Sequence, residues 1–297
     1  MRGLVIINGY PNAEKFLNQG RRICAALRAE GIETDLIKNG EISACVKENG
    51  QMEVLLSKAY DFAVYLDKDK YLGKMLEGAG LRLFNSAAAV EMCDDKLSTY
   101  LALGACGVRL APSIPAPLCY TKDAIAQDGF LENVAKRLGF PLVAKKSYGS
   151  FGAGVKLVHG MPELKETEAE WLHQPHFYQQ FMQASSGKDY RIIVLGGKAV
   201  GCMERVAQNG EFRSNIELGG KGRLANPPHA YYEAAELAAK TLGLDYCGVD
   251  LLETEAGPVL CEVNSNAFFD GFESTTGVDV AALYAKHIVK TLQKKNL

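Results

Sequence analysis

Along the first 85 or so residues, short apolar runs alternate with an amphipathic one. Residues 4–7, 34–37, 62–66 and 82–84 read as strands and 14–30 as a helix, an alternation that predicts an open, mainly parallel α/β sheet. Asn85-Ser86 is a capping pair for a helix running through about residue 103, which then meets the prolines at 112, 115 and 117, a stiff connector. A helix over 122–138 and strands over 142–146 and 154–159 make the middle of the chain α+β. From Phe177 onward the pattern is that of hairpins. Strands 191–195 and 198–203 flank Gly196-Gly197, a pair that tolerates the positive φ of a two-residue turn. A helix over 231–242, another hairpin and a helix over 278–293 complete the chain. The expected organisation is an N-terminal α/β domain (1–85), a central subdomain (86–176) and a C-terminal subdomain (177–297).

Composition narrows the class. With 297 residues, 47% of them hydrophobic, the chain can bury a sizeable core. Its 33 basic and 35 acidic residues leave a net charge of -2, which supplies no broad attraction to nucleic acid or to an anionic membrane. The eight cysteines form no C-x-x-C pair and several lie in apolar runs, the pattern of reduced, structural thiols in a cytoplasmic protein. No apolar stretch approaches the roughly 20 residues of a membrane span, and the run at 4–7 is too short for a signal sequence.

The most informative chemistry lies in Gly248-Val249-Asp250-Leu251-Leu252, a turn at 255–258, and Val259-Leu260-Cys261-Glu262-Val263-Asn264. If this hairpin is centred on Ala256, Asp250 lies opposite Glu262, and Asn264 shares their face by the two-residue period. Two carboxylates and an amide oxygen on one side of an apolar hairpin suit Mg²⁺; equally, they make an ordinary solvated face. A second feature is the strand ending at Lys145-Lys146, followed by Gly149-Ser150-Phe151-Gly152-Ala153-Gly154. A glycine-rich loop lets backbone N–H groups close on phosphate oxygens, although a plain turn has the same composition. It is neither a P-loop nor a dinucleotide fingerprint, since Val155 stands where a P-loop needs lysine and the loop joins strand to strand. Strand alternation puts Lys145 and Lys146 on opposite faces, so one reaches phosphates while the other faces solvent.

The order of these motifs resembles the RimK-like branch of the ATP-grasp superfamily from about residue 85 to the C-terminus. The matching stretches are Asp95-Lys96, 141–155, 178–182, 187–191, 211–215 and 248–264. The resemblance implies an ATP-grasp fold behind an N-terminal α/β pre-ATP-grasp domain. Lys96 and Lys145 would contact ATP phosphates under the loop 149–154, which includes Gly149, Ser150, Phe151 and Gly152. Gln180, Phe181 and Met182 would form the adenine hinge, and Gln180 departs from the glutamate common in the family. Lys188 would lie near the ribose or simply be a solvated turn residue. Asp250, Glu262 and Asn264 would hold two Mg²⁺ ions, with Mn²⁺ an alternative, while Arg205, Arg213 and Asn215 would contact the transferred phosphate and the acyl group.

A second departure follows Asn264. Residues 265–273 replace the short Ser-Pro-Gly turn of many relatives, and Phe268, Phe269 and Phe272 there either pack as core or wall an acceptor pocket. His173-Gln174-Pro175-His176 is spaced like a ligand pair, but the proline interrupts the helix that would align the rings.

The implied reaction joins a small-molecule or peptide carboxylate to an amine, such as an amino acid, through an acyl phosphate, releasing ADP and phosphate. A ligase of free amino acids and a non-catalytic ATP-binding module are the competing expectations, and a homo-oligomer is common among relatives.

Overall fold

The computed structural model describes residues 1–10 and 14–294. The N-terminal part runs β1 (Arg2–Ile7), α1 (Glu14–Ala29), β2 (Glu33–Lys38), β3 (Ser43–Val46), β4 (Met52–Leu55), β5 (Phe62–Leu66), α2 (Lys70–Gly78) and β6 (Arg82–Phe84). Its main sheet has the order β2-β1-β5-β6 with every pairing parallel. β5 is buried along its whole length, as expected of a strand covered on both faces. Helix α1 turns Gly20, Ile23, Cys24 and Leu27 inward at helical spacing. A Cβ at Gly20 would lie 2.7 Å from Leu36 Cδ1, so glycine is what lets α1 sit this close to β2. The antiparallel β3–β4 hairpin and α2 were not anticipated from the apolar pattern. β3 and β4 have no fully buried position, so their periodicity is weak.

The middle of the chain comprises α3 (Ala87–Asp94), α4 (Lys96–Leu103), β7 (Ser113–Pro115), α5 (Asp128–Leu138), β8 (Leu142–Lys146), β9 (Val155–Val158), α6 (Met161–Trp171) and β10 (His176–Gln180). The helix expected over 85–103 is two helices. Ser86 Oγ caps the first, and Asp95, in extended conformation, caps the second by accepting from the N–H groups of Leu97 and Ser98. The helix expected from residue 122 begins at Asp128. The proline-rich connector also holds β7, an edge strand in the order β7-β10-β8-β9, the place in a sheet where proline is tolerated.

The C-terminal part comprises β11 (Lys188–Leu195), β12 (Lys198–Val206), β13 (Lys221–Leu224), α7 (His229–Thr241), β14 (Tyr246–Leu252), β15 (Val259–Asn264), α8 (Asp270–Thr276) and α9 (Val280–Lys294). Its antiparallel sheet has the order β13-β12-β11-β14-β15. Gly196 and Gly197 join β11 to β12 with φ of 55° and 77°. One hydrophobic core joins the two ends of the chain: Ile23, Leu27 and Phe62 pack in the same cluster as Tyr246, Phe269, Phe272 and Tyr284. The link is also polar. Asn85, expected to cap a helix, instead donates to the carbonyls of Tyr246 and Ser265 and accepts from the N–H groups of Asp245 and Tyr246. Among the described residues, no helix is long and apolar enough to cross a membrane.

Candidate functional site

The β14–β15 hairpin pairs Asp250 with Glu262 and Gly248 with Asn264, so the two carboxylates and the amide share a face. Immediately beyond, the register slips to Leu251 opposite Leu260, leaving Cys261 as the extra residue of a bulge. Asp250 is 3% exposed and accepts both Arg191 Nε and Nη2 at 2.7 Å, with Arg205 Nη2 at 2.8 Å. Arg205, 2% exposed, also forks onto Asp189 at 2.7 and 2.5 Å. Burial pushes the Asp250 carboxyl up, but Arg191 and Arg205 outweigh it and hold it below its ordinary value. The two carboxylates hold the Arg205 guanidinium above its own, against the opposite pull of burial.

The three side chains fit a divalent cation by donor chemistry. The three donors on Asp250 use three of a carboxylate's roughly four lone-pair sites, leaving one for a metal. Among the described residues Glu262 pairs with Lys96 at 3.4 Å, and Asn264 would offer its amide oxygen, its unpartnered buried atom being Nδ2, a donor that cannot ligate. Among the described residues no cluster of three or more His, Cys, Asp and Glu side chains is grouped for a metal, so the candidate centre is this smaller, all-oxygen set. His176, of the ligand-spaced histidine pair, is buried with its two ring nitrogens on Gln174 O and Glu168.

Opposite the hairpin, Lys145 on β8 and Lys96 at the start of α4 reach into a cavity of about 110 Å³ that also touches the loop 149–154 and the hinge Gln180, Phe181 and Met182. That is well below the roughly 300–1,000 Å³ usual for ligand pockets. The loop lies down on the cavity: Lys96 Nζ donates to Gly149 O at 2.7 Å and Arg213 Nη1 to Gly152 O at 2.9 Å. Gly149, Phe151, Gly152 and Gly154 all have positive φ, which turns successive backbone groups toward one side. Lys145 is 7% exposed, and among the described residues its side-chain partner is the Cys261 thiol at 3.8 Å. A buried ammonium without an oxygen partner is costly unless an anion arrives. Lys146 takes the other strand face and lies over the Trp171 ring instead of in open solvent.

The remaining sequence candidates are also in place around the cavity. Arg213 is gripped through both nitrogens by Glu211, and this pairing lowers the Glu211 carboxyl from 4.5 to about 2. Lys188 is paired with Glu253, with Glu204 at 3.9 Å, so it enters the site already neutralised. Asn215 and Glu262, with Ser150 and Phe151, border both this cavity and a second one of about 230 Å³. Of the three phenylalanines after Asn264, Phe269 and Phe272 are core, whereas Phe268 lines the second cavity.

Sequence reasoning missed Arg191, Asp189 and the N-terminal residues Phe16, Asp67 and Lys68 that wall this second cavity. Arg191 lies directly opposite Asp250, and Asp189 opposite Arg205. Cross-strand charge complementarity was the available signal, but a bulge at Ile193/Val194 sets the second pairing.

A central cleft between an antiparallel sheet carrying the lysine and its loop and one carrying the carboxylates is the arrangement of an ATP-grasp protein. The solved structures with this fold include a RimK domain ATP-grasp protein from Sphaerobacter thermophilus (TM-score 0.70, 20% identity, 97% of this chain and 99% of that one). They also include the D-alanine–D-alanine ligase of Bacillus anthracis complexed with ATP (TM-score 0.72, 19% identity, all of both chains). The model of the RimK-like ATP-grasp domain matches residues 114–288. Among curated proteins, β-citrylglutamate synthase B of Danio rerio is 31% identical over 236 residues, 78% of this chain. A probable α-L-glutamate ligase of Pseudoalteromonas atlantica is 32% identical over 225 residues, 75% of this chain and 72% of its own length. The chain belongs to the RimK-like ATP-grasp family. It spans 56% and 60% of the length of the zebrafish and human β-citrylglutamate synthases B.

Proposed function

We propose that this chain is an ATP-dependent carboxylate–amine ligase that forms an amide bond through an acyl phosphate. The observation that carries the reading is Lys145, a buried cation facing a glycine-rich loop and, among the described residues, without an oxygen partner, with Lys96 beside it. The family membership and the ligase names of its relatives support the same reaction class.

In this reading the nucleotide lifts the loop, and its phosphates replace the Gly149 and Gly152 carbonyls as partners of Lys96 and Arg213. Gln180, Phe181 and Met182 border the adenine, and Lys188 lies near the ribose. A substrate carboxylate oxygen attacks the γ-phosphorus in line, the bond to the β–γ bridging oxygen breaks, and ADP leaves with that electron pair. The amine nitrogen then attacks the acyl carbon, phosphate departs with the carbon–oxygen electrons, and the nitrogen loses a proton. Arg205 fixes Asp250, and Arg213 and Asn215 face the transferred phosphate and the acyl group. Catalysis by these residues is mainly positioning and charge stabilisation. Asp250, Glu262 and Asn264 would hold the divalent cations, two Mg²⁺ or Mn²⁺ in this reading, whose chemistry is to neutralise charge on the phosphates. The units 1–85, 86–176 and 177–297 would be the pre-ATP-grasp domain and the two halves of the grasp, working in the cytoplasm without nucleic acid or membrane.

An oxygen-18-labelled carboxylate tests the route. The label is expected in inorganic phosphate, with ADP as the nucleotide product; AMP and pyrophosphate, or unlabelled phosphate during amide formation, would overturn it.

A further inference from the structure

The second cavity, of about 230 Å³, lies beyond Glu262 from the nucleotide side and is closed by three parts of the chain distant in sequence. Its aromatic wall comes from all three. Phe16 of α1 meets Phe268 edge to face at 4.9 Å between ring centroids, and Phe151 from the glycine loop stands 6.0 Å from Phe268. Lys15 lies across these rings, its ammonium 3.9 Å from the Phe151 centroid and 5.0 Å from that of Phe268.

Of the four charged groups that line the cavity, Arg191, Lys68 and Asp67 are engaged within the protein, and Glu262 has Lys96 at 3.4 Å. Arg191 forks onto Asp250, and Lys68 pairs with Asp94 at 2.8 Å. Asp67 accepts from Asn8, Asn39 and its neighbour's backbone N–H at 2.7–2.9 Å. Two neutral groups are unmet: among the described residues Asn264 Nδ2, a donor, and Asn266 Oδ1, an acceptor, have no hydrogen-bond partner. Unpaired buried amide groups are costly, and their retention in a cavity wall marks a place where a ligand completes them after a small side-chain rotation.

Resting on the ligase reading, we infer that this cavity receives the amine substrate, and that this substrate is a free amino acid with an apolar side chain. Its nitrogen is held by Asn266 beside Glu262, and its side chain packs against Phe16 and Phe268. The side chain would meet Phe16, Phe151 and Phe268, a surface that favours burial of apolar carbon. Asn266 and Phe268 lie in the segment 265–273, which differs from the short Ser-Pro-Gly turn of many relatives.

The test uses the full chain with MgATP and hydroxylamine, which traps an acyl phosphate without occupying an amino-acid pocket. The twenty amino acids and their N-acetyl derivatives serve as acids, and the acid that yields a hydroxamate is then offered the twenty amino acids as amines. Apolar amines such as leucine and phenylalanine are expected to exceed glutamate in kcat/KM by at least about tenfold. Asn266→Ala is expected to raise the amine KM by about tenfold, the size of one lost hydrogen bond, with the hydroxamate rate and ATP KM within about twofold of the parent. Phe268→Ala should flatten the preference among amines. Hydroxamate formation with glutamate as the preferred amine, or an Asn266→Ala defect equal in both assays, overturns this inference alone. No hydroxamate from any acid overturns the ligase reading together with it.

Discussion

Asp250 and Glu262 face each other across one hairpin yet do different things. Asp250 is a buried anion clamped between two arginines, so neutralising it leaves Arg191 and Arg205 short of charge inside the protein. Asp250→Asn is expected to abolish turnover and also to lower stability, by about 3–5 kcal/mol, the usual cost of breaking a buried pair. Glu262 is partly exposed, and among the described residues its ion-pair partner is Lys96. Glu262→Gln should therefore remove activity by at least about 100-fold with a stability change under about 1 kcal/mol. Urea unfolding of both variants, alongside ADP release, separates the two roles. Equal destabilisation, or retained turnover in Glu262→Gln, would refute the division. The glutamate substitution is thus the cleaner probe of the candidate metal centre.

The element that closes the cavity is the glycine loop, and its latch is Arg213, which bridges Gly152 O and the Glu211 carboxylate. The hydrogen bonds from Arg213 hold the Glu211 carboxyl at about 2 against an ordinary 4.5. Because the folded value is the lower one, the stabilisation from this pair is complete above about pH 4.5 and is lost as pH falls toward 2. In Arg213→Ala the Glu211 carboxyl resonance should titrate near its ordinary value in an NMR pH series. The loop should also become more open to amide exchange. A Glu211 midpoint that stays near 2 without the arginine would show that some other group holds it down. Strand elements carry similar lessons: Tyr100, from α4, donates to the Leu260 or Cys261 carbonyl beside the bulge and accepts from Gln179, tying the central helices to β15.

At the scale of the whole molecule, the N-terminal sheet and the C-terminal helices are parts of one core. Removing residues 1–85 would strip cover from Tyr246, Phe269, Phe272 and Tyr284, all about 1% exposed in the full chain. It would also delete the four hydrogen bonds of Asn85 to β14, its N-terminal lead-in and Ser265. A fragment of residues 86–297 is expected to lose near-UV circular dichroism and cooperative thermal unfolding while keeping helical signal. A fragment that melts cooperatively near the parent Tm would show that the grasp folds independently of the N-terminal sheet.

The chemistry of the candidate site was legible in the sequence wherever it depends on local order. Strand alternation separated Lys145 from Lys146, the two-residue period grouped Asp250, Glu262 and Asn264, and the run of glycines announced a loop able to adopt positive φ. The pairing of Asp250 with Glu262 was anticipated by counting from Ala256, and it holds at the carboxylates because Cys261 bulges out between them and the turn. Counting back from Gly196-Gly197 would have set Asp189 against Glu204; the bulge at Ile193/Val194 sets it against Arg205 instead. A bulge adds one residue to one strand at small local cost and leaves no periodic trace, so the ion pairs it creates were invisible beforehand. The arginine clamp on Asp250, the shared core of the two ends, and the aromatic cavity built from Phe16, Phe151 and Phe268 are likewise contacts between distant segments. Local sequence determined which groups were available and which strand faces they share; only tertiary packing decided which charges were neutralised, because burial and partner distance belong to the folded chain alone.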